Sequence, residues 1–494
     1  MKSFFESNSN LIKRVIEIII PLTSWTIITL PLWLSPFHPA VVAYFILTFD
    51  IYFFYKSFSA AIFSILSYLK LNRLSKMDWA SYAKKLPDFG KIHHVIIIPN
   101  YKENLDKVKI TLEYIANQDF PRKRILIVLA MEEREGKEAR LRGEALIKEY
   151  HRTFGFIGAT YHPDLPGEIK GKASNSTWAA KYISKLIRQK AFDPKLVTVT
   201  SCDADSLLPA KYFSYLTYEF LTDPDRYYHF YWAPVLLYSN FWEVPLPIRL
   251  QATISSIMRL SLLSRPETLI HVSTYSLSLT MLEKIGYWDT DIVPEDWHIF
   301  LQAFFNLGEN VKTLQIYLTV SQDAVNHSTY IGALRSRYEQ EKRWAWGVTD
   351  VPYALYKFFT TPYIPLFPKF FRVFYVLEAH LFWPTSFFLL TLGASIPALV
   401  NPVFSRTALG YTLPKMSGFI LTITTLFLTI LIYIDIKSHP RRPITYSIAK
   451  TPLLFFQWFL LPIISFFFSS LPALEAHTRL LLGKRLEYKV TEKM

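Results

Sequence analysis

Long uninterrupted apolar runs occupy the two ends of the chain, and a shorter-period mixture of apolar and charged positions fills its middle. Lys13 and Arg14 precede a run from Val15 to Leu34; after Ser35-Pro36-Phe37-His38 a second run extends from Pro39 to Leu69. Stretches of that length predict a hairpin of two membrane spans. A cleavable signal peptide fits less well, because the run is long, no small-x-small cleavage pattern follows it, and another apolar segment comes at once. Asp50 and Lys56 lie in the second run, where an unpaired charge is costly, so the span is expected to end before Lys56. Three further runs, about Phe374 to Val400, Phe419 to Ile434 and Leu453 to Ser470, predict spans toward the carboxyl end, with Trp383 and Trp458 at interface or packing positions.

The middle predicts an α/β domain. Val95 to Ile98 is a buried-strand signature closed by Pro99, and Leu105, Val108, Leu112 and Ile115 then recur at helical spacing. Ile125 to Leu129 and Val197 to Thr200 repeat the strand signature, while Trp178, Tyr182, Ile183 and Leu186 mark a helix between them. The expected organisation is a transmembrane hairpin over 1–69, a water-facing α/β domain over 70–354, an amphipathic interfacial segment over 355–371, further transmembrane helices over 372–472 and a basic tail over 473–494.

The basic loop carrying Lys437, His439, Arg441, Arg442 and Lys450 is expected to face the cytoplasm together with Lys2, Lys13 and Arg14. Five full crossings would then put the basic tail (Arg479, Lys484, Arg485, Lys489, Lys493) outside. The parity closes only if one run is re-entrant or the stretch Leu355 to Phe371 inserts deeply. The expectation is an integral plasma-membrane protein with its α/β domain in the cytoplasm.

Composition narrows the chemistry. Hydrophobic residues make up 51% and aromatics 16%, which suits lipid contact, and the single cysteine, Cys202, excludes an intramolecular disulfide or a cysteine-based zinc cluster. The net charge of +14 suits nucleic acid, anionic lipid or a polyphosphate. No nucleic-acid-binding motif accompanies it, so no nucleic-acid partner is expected.

In open α/β sheets ligands bind beyond the carboxyl ends of the parallel strands. Ser201-Cys202-Asp203-Ala204-Asp205 follows one such strand, and two carboxylates there suit a hard divalent cation held jointly with substrate phosphates; a solvated acidic turn would look the same. Pro294-Glu295-Asp296-Trp297 opens a helical pattern, where an acid could serve as a general base or simply answer the helix dipole. Gln340-Glu341-Lys342-Arg343-Trp344 offers a guanidinium for phosphate and an indole for a sugar face, or else an interfacial helix. Gly167 to Ala173 is not a phosphate loop, being too short and lacking the Ser or Thr.

The order D-x-D, E-D, Q-x-x-R-W between membrane runs resembles the membrane-bound glycosyltransferase family two, which includes cellulose, hyaluronan and chitin synthases. Tyr275-Ser276, Gly286-Tyr-Trp-Asp289, Gly483-Lys484 and Val490-Thr491-Glu492-Lys493 add to the resemblance. It implies a GT-A catalytic fold inserted between transmembrane helices, and inversion at the anomeric carbon. It further implies an Mg²⁺ or Mn²⁺ cofactor, a nucleotide-sugar donor with a UDP-sugar favoured, and a glycan or lipid-linked hydroxyl acceptor at the membrane.

By position, Asp205 would bind the metal with Asp203, which also lies near the nucleotide. Asp296, beside Glu295, would be the general base. Gln340, Arg343 and Trp344 would hold the diphosphate and the acceptor end; Lys172, Pro99, Tyr101, Glu103 and Glu132 would surround the nucleotide. Two departures bear on specificity: Ala130-Met131-Glu132-Glu133 replaces the family's aspartate pair, which puts uracil recognition in question, and Pro294 and Trp297 flank the E-D pair. Glu378, His380, Trp383 and Gln457 are candidates for lining a product path, or for ordinary interhelical packing. A catalytically silent membrane scaffold with the same fold is the alternative.

Overall fold

The computed structural model describes residues 9–444, 449 and 451–486. Helix α1 (Ser9–Leu34) turns at Ser35 to His38 into α2 (Pro39–Leu74), a single rod of 36 residues. At about 1.5 Å per residue it is roughly 54 Å long, nearly twice a hydrocarbon core of about 30 Å. The helix itself runs on well past Lys56. Lys56 is paired with Glu378 at 3.0 Å, which removes the cost of an isolated charge, and Tyr52 donates to the same carboxylate at 2.9 Å.

Strands β1 (His93–Asn100), β2 (Ile125–Glu132), β3 (Phe156–His162) and β4 (Val197–Ser201) pair in parallel, with His94 opposite Ile125 and His93 opposite Val197. Their apolar runs are continuous because helices cover both faces, so no alternation with polar residues is needed. Strands β5 (His229–Trp232), β7 (Tyr275–Ser278) and β8 (Lys312–Gln315) complete a mixed sheet in the order β3-β2-β1-β4-β7-β5-β8, with β7 antiparallel to both β4 and β5. β6 (Val235–Leu236) and β9 (Val320–Ser321) form a small parallel pair beside it. This is the GT-A-type arrangement the resemblance implies.

Helix α3 (Leu105–Ala116) buries Val108, Leu112 and Ile115 as its spacing predicts, and Asn104 caps it by accepting from Asp106 N. In α4 (Lys172–Gln189) the helix is as expected but its buried face is not. Ala173, Ala179, Ala180, Ile183 and Ile187 face the sheet, and Trp178 and Tyr182 are exposed, since small residues let the helix lie close to β1 and β2. Helices α5 (Leu246–Leu262), α6 (Glu295–Leu307) and α7 (Tyr330–Ala345) follow.

The expected amphipathic segment is two helices. α8 (Asp350–Thr360) ends before Pro362, which lacks the N–H that would continue the ladder, and α9 (Leu366–Phe388) begins after Pro365 at its N-cap. α10 (Ala408–Ser438) packs along α2, and α11 (Leu471–Leu481) packs against α1 and α7. Arg14 donates to the carbonyls of Leu480 and Leu481 at 2.9 and 2.7 Å, closing the end of α11.

Among the described residues five helical segments are long and apolar enough to cross a membrane: Leu11–Leu34, Pro39–Leu74, Leu366–Gly393, Ala408–Ser438 and Gln457–Leu481. Each overlaps one of the five apolar runs, with ends displaced by up to about a dozen residues in the last three. The last is not one regular helix, because Phe468 has non-helical backbone angles within it. Lys2, Lys450, Lys489, Lys493 and the Val490 to Lys493 pattern lie outside the described residues.

Candidate active site

Beyond the carboxyl ends of β1, β2 and β4 opens a cleft of about 340 Å³. Each residue to which the resemblance assigns a metal, donor, acceptor or catalytic role lines it. Pro99, Tyr101 and Glu103 come from the end of β1 and the loop after it, Glu132 from the last position of β2, and Lys172 from the first residue of α4. Asp203 and Asp205 come from the loop after β4, Glu295 and Asp296 from the first turn of α6, and Gln340, Arg343 and Trp344 from the last turns of α7. Parallel strands deliver these loops to one edge, so residues nearly 250 positions apart meet there.

Lys172 is the electrostatic centre. Its ammonium lies 2.6 Å from Asp203 Oδ1 and 2.6 Å from Glu295 Oε1, and it donates to the Ser273 carbonyl at 3.1 Å. Burial works against its charge, but Asp203 and Glu295 more than offset this and hold the amine well above its ordinary range. Burial, with repulsion from Asp296 and Asp203, pushes the Glu295 carboxyl up to about 7 despite Lys172. Asp296 is held differently: it accepts main-chain N–H bonds from Ser273 at 3.0 Å and Trp297 at 2.9 Å.

Three residues of this site carry no motif signal. Ser273 has φ +67°, unusual for a residue with a Cβ, and ties the acids together. Its N–H serves Asp296, its carbonyl serves Lys172, and its hydroxyl donates to Asp203 Oδ2. Gln322 donates to Asp203 Oδ2 at 2.9 Å and to Ser206 Oγ at 2.7 Å. Arg259, on α5, brings a third cation to the wall beside Lys172 and Arg343. Two buried amides also face the cleft with atoms lacking protein partners, both side-chain atoms of Asn100 and Oδ1 of Asn175. Buried polar atoms are rarely left unsatisfied, so such atoms suit a polar ligand.

At the ends of β1 and β2, Arg134 pairs with Glu132 and lies 4.1 Å over the Tyr101 ring. Glu135 accepts from Lys102 N at 3.0 Å, fixing the loop after β1. On the other side of the acids, His298 is clamped between Asp350 at 2.6 Å and Asp289 at 3.0 Å. Burial lowers its basicity, yet the two carboxylates prevail and raise it to about 9.

The remaining wall belongs to a candidate membrane span. Ala379, His380 and Trp383 of α9 line the same cleft, whereas Glu378 is engaged by Lys56 and Gln457 does not line it. Gly347, just past Trp344, permits this approach, since a Cβ there would stand 3.2 Å from His380 Cε1.

Among the described residues no cluster of three or more His, Cys, Asp or Glu side chains could hold a metal ion alone. The donor set therefore fits Mg²⁺ or Mn²⁺ in one way: Asp203 and Asp205 supply carboxylate oxygens at the cleft, and a ligand's phosphates complete the shell. Asp205 is 6% exposed and accepts from Asp323 N at 3.3 Å, so its orientation is set beforehand.

The sequence profile of "Glycosyl transferase family group 2" matches residues 198–469, more than half of the chain. No curated protein sequence matches. The chain is similar to a solved structure of the mannosyltransferase PcManGT from Pyrobaculum calidifontis in complex with GDP-Man and Mn²⁺, at 16% identity and a TM-score of 0.44, over 79% of this chain and 98% of that one. It is also similar to S. aureus TarS 1-349 in complex with UDP-GlcNAc, at 12% identity and a TM-score of 0.34, over 72% and 95%.

Proposed function

The chain belongs to glycosyl transferase family group 2, and on that premise we propose that it is an inverting, metal-dependent enzyme. It moves a sugar from a nucleoside-diphosphate donor to a hydroxyl of a glycan or lipid-linked acceptor at the membrane. The observation that carries this reading is the convergence on one cleft of Asp203, Asp205, Glu295, Asp296, Arg343 and Trp344, with a wall supplied by His380 and Trp383.

Asp296 takes the proton of the attacking hydroxyl, and its two main-chain donors aim it without neutralising it. Lys172 holds Glu295 and Asp203 in place while the bond from the anomeric carbon to the donor oxygen breaks. Asp203 and Asp205 would hold the metal, which supplies charge stabilisation to the departing diphosphate. Gln340, Arg343 and Trp344 take the diphosphate and the acceptor end, and Pro99, Tyr101, Glu103 and Glu132 enclose the nucleotide.

The 70–354 domain lies on the cytoplasmic side, the side indicated by Lys13, Arg14 and the basic loop after α10. A membrane-derived wall favours an acceptor that arrives from the lipid.

Purified full-length protein given a panel of nucleotide sugars with Mg²⁺ or Mn²⁺ tests the reading, and product length separates polymer synthesis from single transfer. Asp296→Asn is expected to abolish turnover while nucleotide binding is retained. Full turnover in that variant rejects the base assignment, and absence of transfer with every donor favours the silent scaffold.

A further inference from the structure

Arg259 is a partly buried cation whose charge no ion pair among the described residues answers. Its neighbours are all compensated: Lys172 by Asp203 and Glu295, Arg337 by Glu341, Lys342 by Glu339 and Glu475. Arg259 forms no ion pair among the described residues; it donates to the Val235 carbonyl at 2.9 Å and lies 5.4 Å over the Trp344 ring. Arg337 lies over the same indole at 4.7 Å, so a second positive charge sits close by and adds to the cost. Asp296, Glu341 and Asp203 act on it only at a distance. A guanidinium cannot shed its proton to escape burial, and an indole face compensates it only in part. Yet it lines the cleft, within the field of the acids proposed to hold metal and accept a proton.

We infer that Arg259 is a phosphate-binding residue of this cleft, its guanidinium taking an oxyanion of the donor's diphosphate or of a phosphate on a lipid-linked acceptor. The planar fork suits either, because two N–H groups can meet two phosphate oxygens. Trp344 holds the fork flat while Val235 O fixes one of its arms. No motif announces the residue: it sits on α5, between the D-x-D and E-D segments in sequence, and reaches the site only through the packing of α5. This inference rests on the proposed function for the identity of the ligands, but equilibrium binding reads it without turnover.

The test measures affinity of purified full-length protein for UDP and GDP with Mn²⁺, for farnesyl phosphate, and for farnesol, comparing wild type with Arg259→Met and Arg259→Lys. Arg259→Met is expected to weaken UDP or GDP, or farnesyl phosphate, by about ten-fold or more, with Arg259→Lys intermediate and farnesol unchanged. A loss confined to the nucleotides assigns the donor diphosphate; one confined to farnesyl phosphate assigns the acceptor. Unchanged affinity for every phosphate ligand, or an equal loss for farnesol, overturns the assignment. Should Arg259→Met fail to fold, wild-type protein treated with phenylglyoxal decides. Protection of Arg259 by a phosphate ligand, mapped by mass spectrometry, supports the inference, and modification at the same rate with and without ligand rejects it. Failure to transfer any sugar would sink the proposed function while leaving these binding results standing.

Discussion

Lys172 Nζ stands 2.6 Å from Glu295 Oε1, joining the start of α4 to the start of α6 across the cleft. Because the same ammonium also serves Asp203, its removal takes a shared counter-charge from two acids of the cleft. Lys172→Met is expected to lower stability by about 3 kcal/mol, read from denaturant melts, and to reduce kcat by about a hundred-fold or more. A variant with near-native turnover would remove Lys172 from the centre of the site.

Ser273 separates main-chain from side-chain contributions. Ser273→Gly keeps the N–H to Asp296 and the carbonyl to Lys172 at a φ that glycine favours, and deletes only the hydroxyl with its bonds to Asp203 and Gln322. It is expected to lower kcat about ten-fold with stability within about 1 kcal/mol of wild type. Ser273→Val, with a branched Cβ at φ +67°, is expected to lose about 1–3 kcal/mol in the same melts.

His298 sets an alkaline limit. Its folded-state value of about 9 lies above the ordinary histidine value, so its contribution to stability is complete below about pH 6.5 and is lost as pH rises through 9. Melting curves of wild type and His298→Gln should differ most near pH 6, by up to about 3 kcal/mol, and converge toward pH 10. A gap that persists unchanged at pH 10 would mean the ring acts by packing alone.

Chelation addresses the paired carboxylates. EDTA is expected to weaken nucleoside-diphosphate binding by about ten-fold or more, with Mg²⁺ or Mn²⁺ restoring it, because Asp203 and Asp205 would otherwise repel the phosphates. Asp205→Asn should remove the metal dependence; binding indifferent to EDTA in wild type would count against a metal at these residues.

The strands and the five apolar runs are legible in the sequence because burial on both faces, or contact with lipid, leaves a continuous apolar signature; Val95 to Ile98 and Val15 to Leu34 are examples. Ala179 and Ala180 leave a weaker signal, since a small-residue face turned to the sheet is less marked by pattern than the exposed Trp178 and Tyr182. The partner of Lys56 is not legible in the sequence, because Glu378 lies 322 residues away. Short motifs point to the acids and to Arg343. Ser273, Gln322 and Arg259 act through position rather than type, and position is set by the sheet's crossovers and the packing of α5.

The length of α2 has a mechanical meaning. The rod begins beside α1, accompanies α10, and at its far end meets the α/β domain through Ser67, bonded to Ser264 at 2.8 Å, and Lys70, bonded to Tyr317 at 3.2 Å. Most of the cleft's lining belongs to the α/β domain, with Ala379, His380 and Trp383 of α9 as one wall, and the shaft reaches both: Lys56 holds Glu378 of α9 while Ser67 and Lys70 hold the domain. Adding a single residue between Lys56 and Ser67 would turn one set of anchors against the other by about 100°.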